Sequence, residues 1–273
     1  MIERAHFQLV LKGDTADQHE FQGYDGYMAL AGFARTVSLV ANYVETGKIR
    51  QRGDFAGRNS VRATIPSEGS IVADFFVGVQ SVPLETFGLA AGVTSASLMY
   101  GLVKRVIDRN LGQNTLPEGD PVAPLVRRKA GDVETLVAIS EAPIRQTHGV
   151  IGHGADQIDV VGGFNMLSRF DSETRDYVKL NVEDANVQTK PVSVAAFNVN
   201  SGYGSVFDFD LGRTIPISMS RDILRMHRSI FTWGLDQYAN NSGAKIRMTF
   251  SRILAMDGTP KRYIVLRAEK LED

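Results

Sequence analysis

The chain contains 273 residues, of which 30 are Lys or Arg and 31 are Asp or Glu, so its formal net charge is −1. This near balance argues against a protein that coats nucleic acid through a generally basic surface. The absence of cysteine excludes disulfides, iron–sulfur clusters, thiol nucleophiles and cysteine-based zinc sites. A hydrophobic content of 43% is typical of a globular protein rather than a disordered one.

The N-terminal segment has the pattern of a strand followed by a helix. Apolar and polar residues alternate over residues 4–11, which predicts a half-buried strand. After Asp25, a residue type that caps helices, apolar residues recur every three or four positions, and Gly47 is a suitable stop. The start of the chain carries charges at Glu3 and Arg4 and lacks the apolar run of a signal peptide, so we expect a cytoplasmic protein.

Two more strands and a long helix are predicted next. Alternation over residues 61–65 predicts a strand, and the apolar run over 71–79 predicts a strand that is covered on both faces. A second long helix is predicted from about residue 84 to residue 110. The order of these elements predicts an N-terminal α+β domain over residues 1–112, built as a two-layer β-α-β-β-α unit.

Residues 113–155 are predicted to form a linker and a helical connector. Prolines and glycines without an apolar period mark residues 112–124 as the linker. A short helix is predicted over residues 132–140, and Pro143 suits the first turn of a separate helix. We therefore expect two short helices between the two folded halves of the chain.

The C-terminal segment, residues 156–273, is predicted to be a β-barrel domain. Several alternating stretches from Tyr177 onwards predict strands, residues 221–240 have helical spacing, and two strands joined by a turn end the segment. A helix between the third strand and the later strands is the order found in small barrels of the OB type. We expect an α+β protein that ends in a small, partly open β-barrel, OB- or SH3-like, with one helix.

A polar loop near the N-terminus is the first candidate for chemistry. Its carboxylates and imidazole can together hold a hard divalent cation or exchange protons. The candidate ligands are Asp14, Asp17, His19 and Glu20. Their spacing does not match that of a calcium-binding loop, and a solvated turn before a helix is the simpler interpretation.

A basic stretch after the first predicted helix is the second candidate. Clustered cations can bind the phosphate of a nucleotide, a nucleic acid or a lipid head group. The candidate ligand-binding residues are Lys48, Arg50, Arg52, Arg58 and Arg62. Such patches are frequent on proteins of neutral charge, and cations are also favoured at the C-terminal end of a helix, so an ordinary solvated surface stays open as an alternative.

The predicted helix over residues 84–110 is the third candidate. Gly88, Gly92 and Ala96 recur every fourth residue, a pattern that lets two helix backbones approach closely. We expect this row to form an interface within the chain or between subunits of a homo-oligomer. Residues 86–103 carry no charge, but hydroxyl side chains dilute their apolarity, so packing is favoured over a membrane span.

Motifs of catalysis are absent from the sequence. It contains no nucleophile elbow, no phosphate-binding glycine loop and no zinc-protease helix motif. His148 and His153 lie in a glycine-rich segment close to Asp156 and Asp159, but a third nitrogen ligand for zinc is missing. The sequence therefore favours a protein that binds over one that catalyses.

Three segments resemble an uncharacterised bacterial domain family, a domain of unknown function. They are GDTADQHEFQGYDGYMALAGFARTVSLVANYVETGKIR over residues 13–50, IPSEGSIVADF over 65–75 and NVNSGYGSVFDFDLGRTIPI over 198–217. The resemblance brings no activity with it. It implies a bacterial or prophage-borne protein in a genomic setting of defence against phage.

Together these observations predict a non-enzymatic, self-associating cytoplasmic binding or sensor protein without a resident cofactor. Its expected partners are further copies of itself and either a protein or a phosphate-bearing ligand. Two alternatives stay open. One is a metal-dependent nucleotide or phosphodiester enzyme that uses the acidic loop over residues 14–20, with Arg50 or Arg52 holding phosphate. The other is a conditional membrane-disrupting effector that exposes the helix over residues 84–110.

Overall fold

The computed structural model describes residues 2–50, 61–64, 71–80, 87, 93–113, 120, 122–255 and 258–271. The chain separates into two compact units, which are described in turn. The first unit contains residues 1–128 and 139–179, and the second contains residues 129–138 and 180–273. Helices and strands occur in both units, so the predicted α+β class is confirmed.

The first unit is built on an antiparallel five-stranded sheet. Its strands are β1 (Ile2–Lys12), β2 (Val61–Ala63), β3 (Ile71–Gln80), β4 (Gln157–Gly162) and β5 (Asn165–Phe170), in the order β2-β3-β1-β4-β5. The central register places Phe7 beside Phe75 and Leu9 beside Val160. Side chains of β3 alternate between buried and partly exposed, so only one face is covered and the prediction of two covered faces is wrong.

Helix α1 spans Gly23–Thr46 and packs on the buried face of this sheet. Gln22 is its N-cap, so Asp25 lies in the first turn and does not cap the helix as predicted. The carboxylate still lies at the positive end of the helix, where an anion is favoured. Gly47 ends the helix in the left-handed conformation with φ 64°, as predicted.

Helix α2 spans Ser95–Asn110 and does not begin at residue 84 as predicted. The backbone of Thr94 is extended, and this residue forms a reciprocal capping box with Ser97 that fixes the start of the helix. Ala96 therefore lies in the first turn of α2, whereas Gly88 and Gly92 are outside the described residues. Within the described part of the chain, no helix combines the length and the apolarity that a membrane crossing requires.

The connector contains a short helix, α3 (Ala123–Arg128), and one continuous helix, α4 (Ala130–Thr147). Pro143 lies inside α4, so the prediction of two separate helices is wrong. A further short helix, α5 (Ser172–Lys179), includes Val178, although the alternation of Val178, Leu180 and Val182 predicts a strand there. Because α5 is only eight residues long, its amphipathic pattern is hard to separate from that of a strand.

The second unit contains a closed five-stranded barrel. Its strands are β6 (Val182–Phe197), β7 (Gly204–Asp208), β8 (Arg213–Met219), β9 (Ile246–Leu254) and β10 (Pro260–Lys270), and helix α6 (Arg221–Ala239) lies between β8 and β9. The barrel order is β10-β8-β7-β6-β9, with β8 parallel to β10 and the other pairs antiparallel. The predicted barrel with one helix is confirmed, and it is closed rather than partly open.

Inward-facing side chains of all five strands form the core of the barrel, and α6 packs against it. Phe231 of α6 stacks on Phe197 with ring centroids 5.2 Å apart. Gly234 allows the helix to approach closely, because a Cβ at this position would lie 2.8 Å from the side chain of Val194 and 3.1 Å from that of Ile246. The helical spacing seen in the sequence thus corresponds to the face that closes the barrel core.

The two units do not coincide with the predicted segments 1–112, 113–155 and 156–273. Strands β4 and β5 follow residue 155, yet they join the sheet of the first unit through pairs such as Leu11 with Ile158. The first part of α4 is grouped with the barrel unit instead of with a separate connector. There Asn198 donates a hydrogen bond to the carboxylate of Asp132 at 2.9 Å.

Candidate functional site

A pocket of about 320 Å³ on the outside of the barrel is the strongest candidate site. Strands β6 and β7, the end of α6 and the turn that leads to β9 contribute its walls. The described lining residues are Ser193, Phe207, Phe209, Gln237, Tyr238, Asn241, Gly243, Ala244 and Lys245. Its size falls at the lower end of the range of about 300–1,000 Å³ that is typical of small-molecule sites.

Three aromatic rings give the pocket its apolar surface. The side chain of Phe207 points outward from β7, because its neighbours Val206 and Asp208 face the barrel interior. The rings of Phe207 and Phe209 meet edge to face with centroids 5.2 Å apart. Phe209 and Tyr238 are 46% and 45% exposed, so a large part of each ring faces solvent. These two rings therefore offer exposed aromatic surface to a ligand.

Lys245 is the only charged residue among the described residues that line the pocket. Its ammonium nitrogen lies 4.3 Å from the centroid of the Phe209 ring, within the range of a cation–π contact. The turn before it contains Asn241 and Gly243, whose φ angles are 51° and 80°. These left-handed residues reverse the chain after α6, so that Tyr238 and Lys245 face the same pocket.

A buried carboxylate holds the chain segment that carries Phe209. Asp208 is fully buried, and its oxygens accept hydrogen bonds from the hydroxyl of Tyr263 at 2.6 Å and from the ammonium of Lys190 at 3.0 Å. The backbone N–H groups of Asp210 and Leu211 also donate to it, at 2.9 and 3.2 Å. Because Asp208 precedes Phe209 directly, this network fixes one wall of the pocket.

The network also sets the protonation state of Asp208. Burial by itself would raise the pKa of the carboxyl, but the hydrogen bonds from Tyr263 and Lys190 outweigh it and hold the pKa below its ordinary value. Burial and the neighbouring carboxylate raise the pKa of Tyr263, so its hydroxyl stays protonated and donates. Asp208 is therefore an anion whose role is to position the wall of the pocket.

The acidic loop accepts hydrogen bonds from backbone N–H groups. Asp14 accepts a hydrogen bond from the N–H of Gly154 at 3.1 Å, and Asp17 accepts one from Gly13 at 2.9 Å. Across the described ranges of the chain, no group of three His, Asp or Glu side chains is placed to hold a metal ion. The structure thus does not bring Asp14 and Asp17 together with His19 and Glu20 as a metal site.

The basic stretch is only partly described. Lys48 and Arg50 follow α1 with exposed side chains, and Arg62 is exposed on β2. Arg52 and Arg58 lie outside the described residues. The side-chain amide of Asn42 donates a hydrogen bond to the carbonyl of Lys48 at 3.0 Å. This contact supports the end of α1 and does not by itself form a phosphate site.

The two histidines considered for zinc have different surroundings. His148 is fully buried, with its Nδ1 donating to the carbonyl of Ile144 at 2.8 Å and its Nε2 3.2 Å from the hydroxyl of Thr174. His153 is exposed. Asp159 is already held by Lys12 and Arg169, each at 2.7 Å. His148 is therefore a satisfied core residue, and the predicted ligands do not converge.

The open face of the first unit's sheet carries polar pairs that the sequence did not predict. Nε2 of His6 lies 2.6 Å from the carboxylate of Asp74, and the side chain of Gln8 donates to the same oxygen at 2.9 Å. The ring of His6 stacks on Phe76 with centroids 4.6 Å apart. Burial would raise the pKa of Asp74, but hydrogen bonds from Gln8 and His6 lower it overall. Alternation along β1 and β3 is the only signal that could have placed these residues side by side.

Comparison with known proteins concerns only the barrel. A family of unknown function, DUF7947, matches residues 186–269, which is less than half of the chain and falls within β6 to β10. No curated protein and no solved structure is significantly similar to the chain. The barrel segment is therefore similar to an uncharacterised family. Of the three segments whose resemblance was noted from the sequence, only residues 198–217 lie within the matched range.

Proposed function

We propose that this chain is a non-enzymatic binding or sensor protein whose barrel takes up a small ligand in the pocket beside Phe207, Phe209 and Tyr238. The observation that carries the proposal is the pair of half-exposed rings, Phe209 and Tyr238, at the mouth of a preformed pocket. Exposed aromatic surface is costly in water, and covering it with a flat ligand would remove that cost. The fixed position of Asp208 keeps the pocket ready for binding.

Indole, a neutral flat ring, is the probe that tests whether the pocket binds ligands. We expect saturable shifts of the backbone amide signals of Phe207, Tyr238 and Lys245 when indole is titrated into the isotope-labelled 273-residue chain. Ser193→Trp should abolish the shifts, because Ser193 lines the pocket and the new side chain would fill it. Ser218→Trp, on the outside of β8, is the matched control and should leave them unchanged. Shifts that do not saturate, or that persist in Ser193→Trp, would refute the proposal.

The proposed function includes self-association, in the bacterial and phage-defence setting that the resemblance implies. Support comes from β5, which is the end strand of its sheet among the described strands. Phe164, in the turn before β5, is fully exposed, and Met166 on β5 is 54% exposed. An edge strand with apolar side chains can pair with a second copy of the same strand.

Light scattering after size exclusion tests this surface. We expect the wild type to elute as a dimer or larger oligomer and the double variant Phe164→Ser/Met166→Thr to elute as a monomer. Tyr24→Ser, which removes an exposed aromatic side chain at the start of α1, is the control and should not change the mass. A monomeric wild type would overturn self-association, and an oligomeric double variant would overturn its placement at β5.

A further inference from the structure

We propose that the ligand of the barrel pocket is a free mononucleotide, with its base against Phe209 and Tyr238 and its phosphate at Lys245. This inference rests on the proposed function, since it names the ligand of the same pocket. It uses the three kinds of group that line the pocket: flat aromatic rings, side chains that both donate and accept hydrogen bonds, and one cation.

The charge of the pocket selects against a cationic ligand. Aromatic pockets can bind ammonium groups, but here the ammonium of Lys245 already lies over the Phe209 ring at 4.3 Å. No described lining residue carries a negative charge that would balance a second cation. A ligand that stacks on Phe209 must therefore bring an uncharged ring, and it gains from an anionic group close to Lys245.

The polar lining suits the edge of a nucleobase. Gln237 and Asn241 carry amides, and Ser193 carries a hydroxyl, so each side chain has both donor and acceptor atoms. A base presents the same mixture of donors and acceptors along its edge and can bond to these side chains, which a plain hydrocarbon ring cannot do. The lining thus favours a heteroaromatic ring over an apolar one.

The position and the volume of the pocket favour a single nucleotide over an oligonucleotide as the ligand. OB-type barrels bind oligonucleotides across their second and third strands and the loops after the first and fourth strands. The described lining here includes no residue of β8, of the β6–β7 loop or of the β9–β10 loop. The pocket has a volume of about 320 Å³ and lies beside the end of α6. It has room for a single base but is not a continuous groove that could hold an oligonucleotide.

Calorimetric titration of the 273-residue chain with AMP, GMP, CMP and UMP tests the inference. We expect at least one of them to bind, with its nucleoside about fivefold weaker, because the nucleoside lacks the group that faces Lys245. Lys245→Gln should bring the nucleotide to the affinity of the nucleoside and leave the nucleoside unchanged. Phe209→Ala should weaken both by about fivefold or more, because base stacking is lost.

Several results would overturn the inference. They are equal affinity for nucleotide and nucleoside, ribose 5-phosphate or inorganic phosphate binding as tightly as the nucleotide, and an eight-residue oligothymidylate binding much more tightly than UMP. Indole binding without nucleotide binding would overturn the inference and leave the proposed function in place. Failure of both indole and the nucleotides would overturn both. The ammonium of Lys270 lies over Trp233, outside this pocket. Lys270→Gln is therefore the matched control for loss of charge and should not alter the affinity for the nucleotide.

Discussion

Replacing Asp208 by Asn should lower the free energy of unfolding of the barrel by about 3 kcal/mol. Asp208 is fully buried, and its charge balances the ammonium of Lys190 while it accepts from Tyr263. An amide of the same size can keep some of these contacts but cannot supply the negative charge, and its N–H groups would face donors. Urea unfolding followed by the fluorescence of Trp233, the only tryptophan of the chain, measures the effect in the barrel unit.

Asp210→Asn is the matched control for this experiment. Asp210 bonds the same ammonium of Lys190 at 2.9 Å, but its side chain is 75% exposed. Water replaces much of what an exposed ion pair loses, so we expect this variant to unfold close to the wild type. Equal destabilisation by the two substitutions would show that Asp208 acts through general charge and not through its buried network.

The stability that Asp208 contributes to the barrel should be lost at low pH. The pKa of Asp208 is lower in the folded barrel than its ordinary value of 3.8. Its contribution to stability is therefore present above that ordinary value and is lost as the pH falls through the lower pKa of the folded state. The Asp208→Asn variant should lack this part of the acid sensitivity, which comparison of the urea midpoints of the two proteins at low pH can measure.

The sequence predicts the barrel well because each of its helices and strands has a recognisable local pattern of apolar residues. Alternation identifies the short strands, and a 19-residue helix with helical apolar spacing separates them in the order of an OB-type barrel. The sheet of the first unit is different, because β1 pairs with β4 across about 150 residues of chain. Periodicity indicates which face of a strand is buried, but it does not identify the partner strand. The sequence therefore places residues 157–170, which form β4 and β5, in the C-terminal segment and not in the first unit.

The candidate site could be predicted only in part. The alternation of Phe207 and Phe209 predicts a strand, but only Phe207 lies in β7, and Phe209 follows it in a turn. Tyr238 and Lys245 reach the same pocket only because α6 and its turn fold back on the barrel. Asp208 did carry a signal in the sequence. It occupies the inward phase of β7, where Val206 is buried, and a charged residue in that phase implies a buried partner. A charged residue at an inward-facing position of a strand is therefore the feature to look for in related barrels.

His148 should make the first unit less stable as the pH falls from 7 to 5. Burial, the main cause, disfavours the imidazolium and lowers its pKa from 6.5 to about 4, even though the bond to Ile144 and the charge of Asp171 act in the opposite direction. The unfolded chain takes up a proton near pH 6.5, and the folded chain does not until about pH 4. The stability is thus fully present above pH 6.5 and decreases below it, by about 2 kcal/mol between pH 7 and pH 5.

Unfolding of the wild type and two variants at pH 7 and pH 5, followed by far-ultraviolet circular dichroism, tests this linkage. His148→Gln should remove most of the difference between the two pH values, whatever its effect on the stability at either one. His153→Gln changes an exposed histidine and should keep the difference. The comparison depends only on how each protein responds to pH, so a variant that is destabilised overall remains informative. A His148→Gln protein with the full wild-type difference would show that the buried ring is not the group that takes up the proton.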